Sequence, residues 1–196
     1  MKVIFLDNDG VICLSHNWGS RLKKQNKWRG RKLSMGVQSI PIEFRFDNFD
    51  KNAIKVLNEI LEETDTEIVV SSDWRLYATL EELGEYYLSQ GIIKKPIGVT
   101  KILGQFDIPK DFEWSREWDL EQIRCFEINQ FLKDNSEITN WVAIDDIDMR
   151  KAGKKLSIDF EHSWGLENFV WTPLSNEGIK QSGIKEKILE YLIDEK

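Results

Sequence analysis

Residues 3–12 read VIFLDNDGVI, and the fold turns on this stretch. Val3, Ile4, Phe5 and Leu6 form an uninterrupted apolar run, the pattern of a strand buried on both faces in a parallel sheet covered by helices. That run passes directly into Asp7, Asn8, Asp9 and Gly10. In open α/β sheets ligands bind beyond the carboxyl ends of the strands, so two carboxylates delivered there mark a candidate site.

Working outward, the same construction recurs. TEIVVSS is a second buried strand ending in Ser71 and Ser72, and WVAIDD is a third ending in Asp145 and Asp146. NFVWT reads as a fourth, and IGVTKILG as a short further strand. Between them lie helical patterns. FDKNAIKVLNEILEET puts Ala53, Leu57, Ile60 and Leu61 on one face, with Asp50 as N-cap. DWRLYATLEELGEYYLSQG reads as one helix stopped at Gly91. EQIRCFEINQFLKDN turns Ile123, Phe126, Ile128, Phe131 and Leu132 mostly inward, and SGIKEKILEYLIDEK is a closing amphipathic helix. Strands alternating with helices predict an α/β fold: a Rossmann-like three-layer parallel sheet with helices on both faces. The 196 residues suit one domain over residues 1–196, with 13–46 as an insertion after the first strand. Within that insertion KQNKWRGRK reads as a loop, and SIPIEFRF alternates like a short edge strand, Pro41 barring a central place.

Composition narrows the chemistry. With 41% hydrophobic and 31% charged residues the chain has material for a core, and its net charge of −7 speaks against bulk nucleic-acid affinity. The charge is uneven. From Ser15 to Lys32 the bases Arg21, Lys23, Lys24, Lys27, Arg29, Arg31 and Lys32 meet no acid, which suggests a basic patch set on an acidic body. Two cysteines and two histidines are too few for a disulfide framework and too scattered for zinc. The start lacks a signal-peptide pattern and no apolar run reaches membrane length, so a cytoplasmic location is expected.

If the three strands are neighbours, Asp7, Asp9, Asp145 and Asp146 converge. Two carboxylates about 4 Å apart repel by roughly 4 kcal/mol at an effective dielectric of 20. Such a cluster wants a cation, and an all-oxygen set with open water positions suits Mg²⁺. A calcium loop is the wrong reading of DNDG, since it would need an acid at Phe5 and a glutamate at His16. A surface turn for DNDG and a helix N-cap for Asp145-Asp146 are the plain alternatives, but all of these motifs follow buried-strand patterns.

DNDGV after an apolar strand resembles motif I of the haloacid dehalogenase-type (HAD) phosphohydrolases, Asp-x-Asp-x-(Val/Thr). Ser71 closing EIVVS resembles motif II, and IDD at 144–146 resembles motif IV. FDKNAIKVLNEILEETDTEIVVSSDWR, IRCFEINQFL, WVAIDDID and FVWTPLSNEGI are similar to the HAD domain of Swiss Army Knife RNA-repair proteins, over most of residues 1–8 and 47–184. The resemblance implies Asp7 as nucleophile and Asp9 as general acid and base. Mg²⁺ would be held by Asp7, the Asp9 carbonyl and Asp145, with Asp146 as a further ligand or the holder of a water, and phosphate by Ser71. Arg124 in IRCFEI fits the remaining basic motif, with Lys101 and Lys151 as rivals, and Arg75 either supports the site or is an exposed arginine at a helix start.

An insertion of this length implies a small or absent cap, and hence an open mouth that admits a large phosphorylated substrate such as a nucleic-acid end. Arg21, Lys23, Lys24, Lys27, Trp28, Arg29 and Arg31 have the composition of phosphate tracking with base stacking. Two other readings stand beside this one: a small-molecule or nucleotide phosphatase with the basic loop as a lid, and an inactive nucleic-acid or partner-binding module. His16 would lie near the mouth, Trp141 and Trp171 in the core, and Cys13 and Cys125 as buried small hydrophobes.

Overall fold

A computed structural model of the chain describes residues 1–29, 40–102, 120–151 and 166–193. Strands β1 (Lys2–Leu6), β2 (Glu67–Val70), β3 (Gly98–Val99), β4 (Asn140–Asp145) and β5 (Phe169–Trp171) form one sheet in the order β3-β2-β1-β4-β5. Every pairing is parallel. The motif-bearing strands are therefore neighbours, with β1 at the centre.

The register sets the site. Leu6 pairs with Val70 on one side and Ile144 on the other, so Asp7, Ser71 and Asp145 leave the sheet at one level. The ladder continues one step beyond the strands, with Asp7 N–H donating to Ile144 O and Ser71 N–H to Leu6 O.

Alternation along β1 supplies two cores. Ile4 and Leu6 pack with Ile68, Val70, Val142 and Ile144 beneath helices α3 (Lys51–Thr64), α4 (Leu80–Gln90) and α6 (Ile184–Leu192). Val3 and Phe5 face the other way with Val69 and Ala143, against Cys125 and Ile128 of α5 (Leu120–Asp134). The α/β fold with helices on both faces is thus as expected. Asp50 caps α3 as predicted, accepting from Asn52 N–H and Ala53 N–H. Gly91 stops α4 with a left-handed φ of 99°.

Three local expectations are corrected. KQNKWRGRK is not loop throughout, because α1 runs from Ser20 to Arg29. Its Lys, Arg and Gln residues are good helix formers. Its amino end is held from a distance by the buried Asp47 carboxylate, which accepts from Gly19 N–H, Arg21 N–H and Ser20 Oγ. SIPIEFRF is not an edge strand, since Ile42–Arg45 form a helical turn, α2, after Pro41. The reason is again distant: Arg45 is buried, donates to Ile40 O and Tyr77 O, and pairs with Glu82 of α4. DWRLYATLEELG is not one helix. A 3₁₀ turn covers Asp73–Leu76, and Thr79 opens α4 afresh with a capping box to Glu82. The apolar residues of α5 face inward as expected, and its first half also turns Gln122, Arg124 and Glu127 inward.

Candidate active site

Loop geometry after β1 presents the two acids. The Asn8 carbonyl accepts from Val11, Ile12 and Cys13 N–H, folding residues 8–13 into a tight turn. Its side-chain oxygen accepts from the Tyr87 hydroxyl, and Gly10 supplies a φ of 72°. A side chain at Gly10 is barred for a second reason, since its Cβ would come 2.0 Å from Asp146 Oδ2. Strand alternation would send Asp7 and Asp9 to one side, but β1 closes at Leu6 and the two carboxyls find different partners.

Asp7 is buried against α5. Arg124 Nη1 lies 2.9 Å from Asp7 Oδ1 and donates to Asp145 Oδ2 at 2.9 Å and to Ser71 O at 2.9 Å. Its Nη2 donates to Asp73 Oδ1 at 3.2 Å. Burial works against the charge on Arg124, but Asp7, Asp145 and Asp73 outweigh it and hold the guanidinium ionised. Of the three candidates for the basic motif, only Arg124 is seen among the acids. Lys101 is exposed, and the Lys151 side chain lies outside the described residues. Arg124 is no surface residue, and neither is the Arg75 side chain, which is buried in an ion pair with Glu127 of α5.

Carboxylate oxygens of Asp7, Asp145 and Asp146 all lie within 4.8 Å of one another. Burial pushes the Asp7 carboxyl well above the usual carboxylate range, and Asp145 adds to this against the pull of Arg124 and a Ser72 hydrogen bond. Burial likewise raises Asp145, and it raises Asp146 to about 6 with help from Asp145. Three acids that resist ionisation together, all hard oxygen donors, fit a small divalent cation. Asp9 stands outside this side-chain cluster. Its carboxyl is half-buried, raised by burial, and accepts from Trp74 Nε1 at 2.8 Å.

Ser71 Oγ is buried with no hydrogen-bond partner, as a group reserved for an incoming oxygen would be. Such an orphan, on the residue whose carbonyl accepts from Arg124, fits a phosphoryl group.

Other candidates are placed as follows. Arg21, Lys23 and Lys27 are exposed on α1, and Trp18, just before that helix, is exposed too. Lys24 is engaged in packing, with Nζ on Asn48 Oδ1 at 2.9 Å and 5.6 Å from the centre of the Tyr86 ring. The side chains of Trp28 and Arg29, and all of Arg31, lie outside the described residues. His16 is exposed and pairs with Asp50 at the start of α3. Cys13 and Cys125 are buried, as expected. Trp141 and Trp171 are half-buried. Trp171 does more than pack: its Nε1 donates to Asp146 O at 2.9 Å. Neither this bond nor the one from Trp74 was foreseen from sequence, since both join residues 25 or more positions apart.

The model of the HAD domain in Swiss Army Knife RNA repair proteins matches residues 3–169. The chain belongs to this HAD family. The matched span runs through the basic segment and ends at Phe169, the first residue of the FVWTPLSNEGI stretch. No curated protein and no solved structure matches the chain. Membership in the HAD family supports a hydrolase of the phosphatase type. Among the described residues no helix is long and apolar enough to cross a membrane.

Proposed function

We propose that this HAD domain is a Mg²⁺-dependent phosphomonoester hydrolase that works through an aspartyl-phosphate on Asp7. One observation carries the reading: at the end of the central strand, Asp7 sits 2.9 Å from Arg124 and within one carboxylate cluster with Asp145 and Asp146. Arg124 and the unpartnered Ser71 hydroxyl hold phosphoryl oxygens and orient the phosphorus toward Asp7. An Asp7 carboxylate oxygen forms the new bond to phosphorus as the bond to the leaving oxygen breaks, and Asp9 gives that oxygen its proton. Asp9 then takes a proton from the water that attacks phosphorus, the acyl-phosphate bond breaks, and phosphate leaves with Asp7 restored. A Mg²⁺ ion would be held by Asp7, Asp145, Asp146 and the Asp9 carbonyl, and would supply the positive charge that lets a carboxylate approach an anionic phosphate.

Nucleic-acid ends are the substrate class we favour. The support is α1, which is fastened to the body through Asp47 and leaves Arg21, Lys23 and Lys27 in solvent near an exposed Trp18. Phosphate release with and without Mg²⁺ from oligonucleotides, mononucleotides, a phosphopeptide and an aryl phosphate tests both parts. Turnover that needs Mg²⁺ and disappears in Asp7→Asn is the expected result. A preference for oligonucleotides that falls with salt and in Lys23→Glu/Lys27→Glu assigns α1 to substrate. Equal turnover of mononucleotides, untouched by those changes, assigns the segment to a lid. Salt-sensitive oligonucleotide binding without any turnover would leave a binding module.

A further inference from the structure

Trp74 is buried, with 4% of its surface exposed. A buried indole N–H needs an acceptor, and the usual one is a neutral backbone carbonyl. Here the acceptor is Asp9 Oδ2, at 2.8 Å, across 65 positions of sequence. The ring is not free to turn. It lies flat on Phe46, with centroids 4.3 Å apart and planes 4° apart, and nearly flat on Phe49 at 5.2 Å and 16°. The Tyr86 ring meets it edge-on at 5.9 Å. Clamped from these sides, the indole directs its one hydrogen at one oxygen of Asp9.

We infer that Trp74 is the positioning residue of Asp9, setting which carboxyl oxygen carries the proton delivered to the leaving group. An indole N–H only donates, and a carboxylic acid accepts best through its carbonyl oxygen. Trp74 therefore favours Oδ2 as that carbonyl oxygen and leaves the proton on Oδ1. In the forward step that proton passes from Oδ1 to the leaving oxygen as the phosphorus–oxygen bond breaks and Asp7 bonds to phosphorus. In the return step Oδ1 receives a proton from water. The buried Cys13 thiol also acts on this carboxyl, but a thiol is a weak donor that fixes direction poorly. Phe46 closes the 13–46 insertion and Phe49 follows it, so the clamp joins the end of that insertion to Asp9 through one stack of rings.

The inference rests on the reading of Asp9 as general acid, and the experiment separates the two. Turnover is measured on phosphomonoesters whose leaving groups range from 4-nitrophenol to a simple alcohol, in the wild type, Trp74→Phe and Asp9→Asn. Trp74→Phe keeps a ring for the stack and removes the N–H. The dependence of log kcat/KM on leaving-group pKa is the readout. Its slope does not depend on how much of a variant is folded. Asp9→Asn should steepen the slope most. Trp74→Phe should steepen it in part, losing about ten-fold more on the alkyl ester than on the nitrophenyl ester, a share of the ~10²–10⁴-fold that a general acid contributes. A wild-type slope in Trp74→Phe beside a steep one in Asp9→Asn overturns the positioning role alone. A wild-type slope in Asp9→Asn overturns Asp9 as acid, and this inference with it. Should Trp74→Phe not fold, Asp9→Asn carries the test by itself in a protein labelled with [¹⁵N]tryptophan. One of the eight indole N–H resonances must then move. An unchanged spectrum overturns the inference.

Discussion

One nitrogen of Arg124 lies 2.9 Å from Asp7 Oδ1 and 2.9 Å from Asp145 Oδ2, tying together acids from two neighbouring strands. A single buried cation thus serves both the metal-free fold and the proposed phosphate site. Removing one preorganised donor from a charged transition state typically costs about 10²–10³-fold in rate, and Arg124→Ala is expected to lose that much kcat/KM. Arg124→Lys should recover only part, because an ammonium lacks the second nitrogen with which the guanidinium also reaches Asp73. Wild-type kinetics in Arg124→Ala would remove this residue from the mechanism.

Mg²⁺ and pH are linked through the acid cluster. The folded-state pKa of Asp146 is raised from 3.8 to about 6, and Asp7 and Asp145 move in the same direction. A raised carboxylate pKa means that the folded state holds its proton more tightly than the unfolded state. The associated stability is fully present below about pH 4 and is lost as pH rises through about 6. Without metal the melting temperature should fall over that window, and the increment that Mg²⁺ restores should grow across it. Thermal unfolding at a series of pH values with EDTA or Mg²⁺ checks this. Asp146→Asn should flatten both trends.

Gly10 and Gly91 offer a matched pair. Both have positive φ, 72° and 99°, but an added Cβ at Gly10 meets Asp146 Oδ2 at 2.0 Å and one at Gly91 meets nothing within 4 Å. Each alanine variant carries a backbone cost of roughly 1 kcal/mol, measurable by denaturant unfolding. Only Gly10→Ala should also displace the Asp146 carboxyl, weakening Mg²⁺ binding and turnover. Equal Mg²⁺ affinity in the two variants would contradict the placement of Asp146.

Arg75 and Glu127 form a pair whose side chains are 5% and 2% exposed. Arg75 Nε and Nη1 are buried with no hydrogen-bond partner. Glu127→Ala leaves that guanidinium without its carboxylate, and breaking a buried pair from one side costs about 3–5 kcal/mol. Replacing both residues together, Arg75→Met with Glu127→Leu, should be less destabilising than Glu127→Ala alone. Denaturant midpoints of the two proteins decide it, and additive losses would mean that the pair is not coupled.

Much of this architecture is legible in the sequence because it is local. Val3–Leu6, Ile68–Val70 and Val142–Ile144 are apolar runs that end in acids or serines, and a parallel sheet brings such ends to one side. Asp50 and Gly91 announce the start of α3 and the stop of α4 by their own chemistry. What the pattern hides is non-local. The burial of Arg124 beside Asp7 is not legible in the sequence, since one basic residue in a helix carries no period. α1 lacks an apolar stripe, and its cap, Asp47, lies 26 residues beyond Arg21. Arg45 bends its segment into a helical turn by reaching Glu82 of α4. The bonds from Trp74 to Asp9 and from Trp171 to Asp146 join tryptophans to site acids far off in the chain.

The central claim is that Asp7 becomes phosphorylated. We would mix the protein with Mg²⁺ and a fast-reacting aryl phosphate, quench within the first turnover, and reduce with borohydride before peptide mass analysis. The account predicts homoserine in place of aspartate at position 7, dependent on substrate and absent without it. Full turnover with Asp7 unmodified, or reduction at another carboxylate, would contradict it.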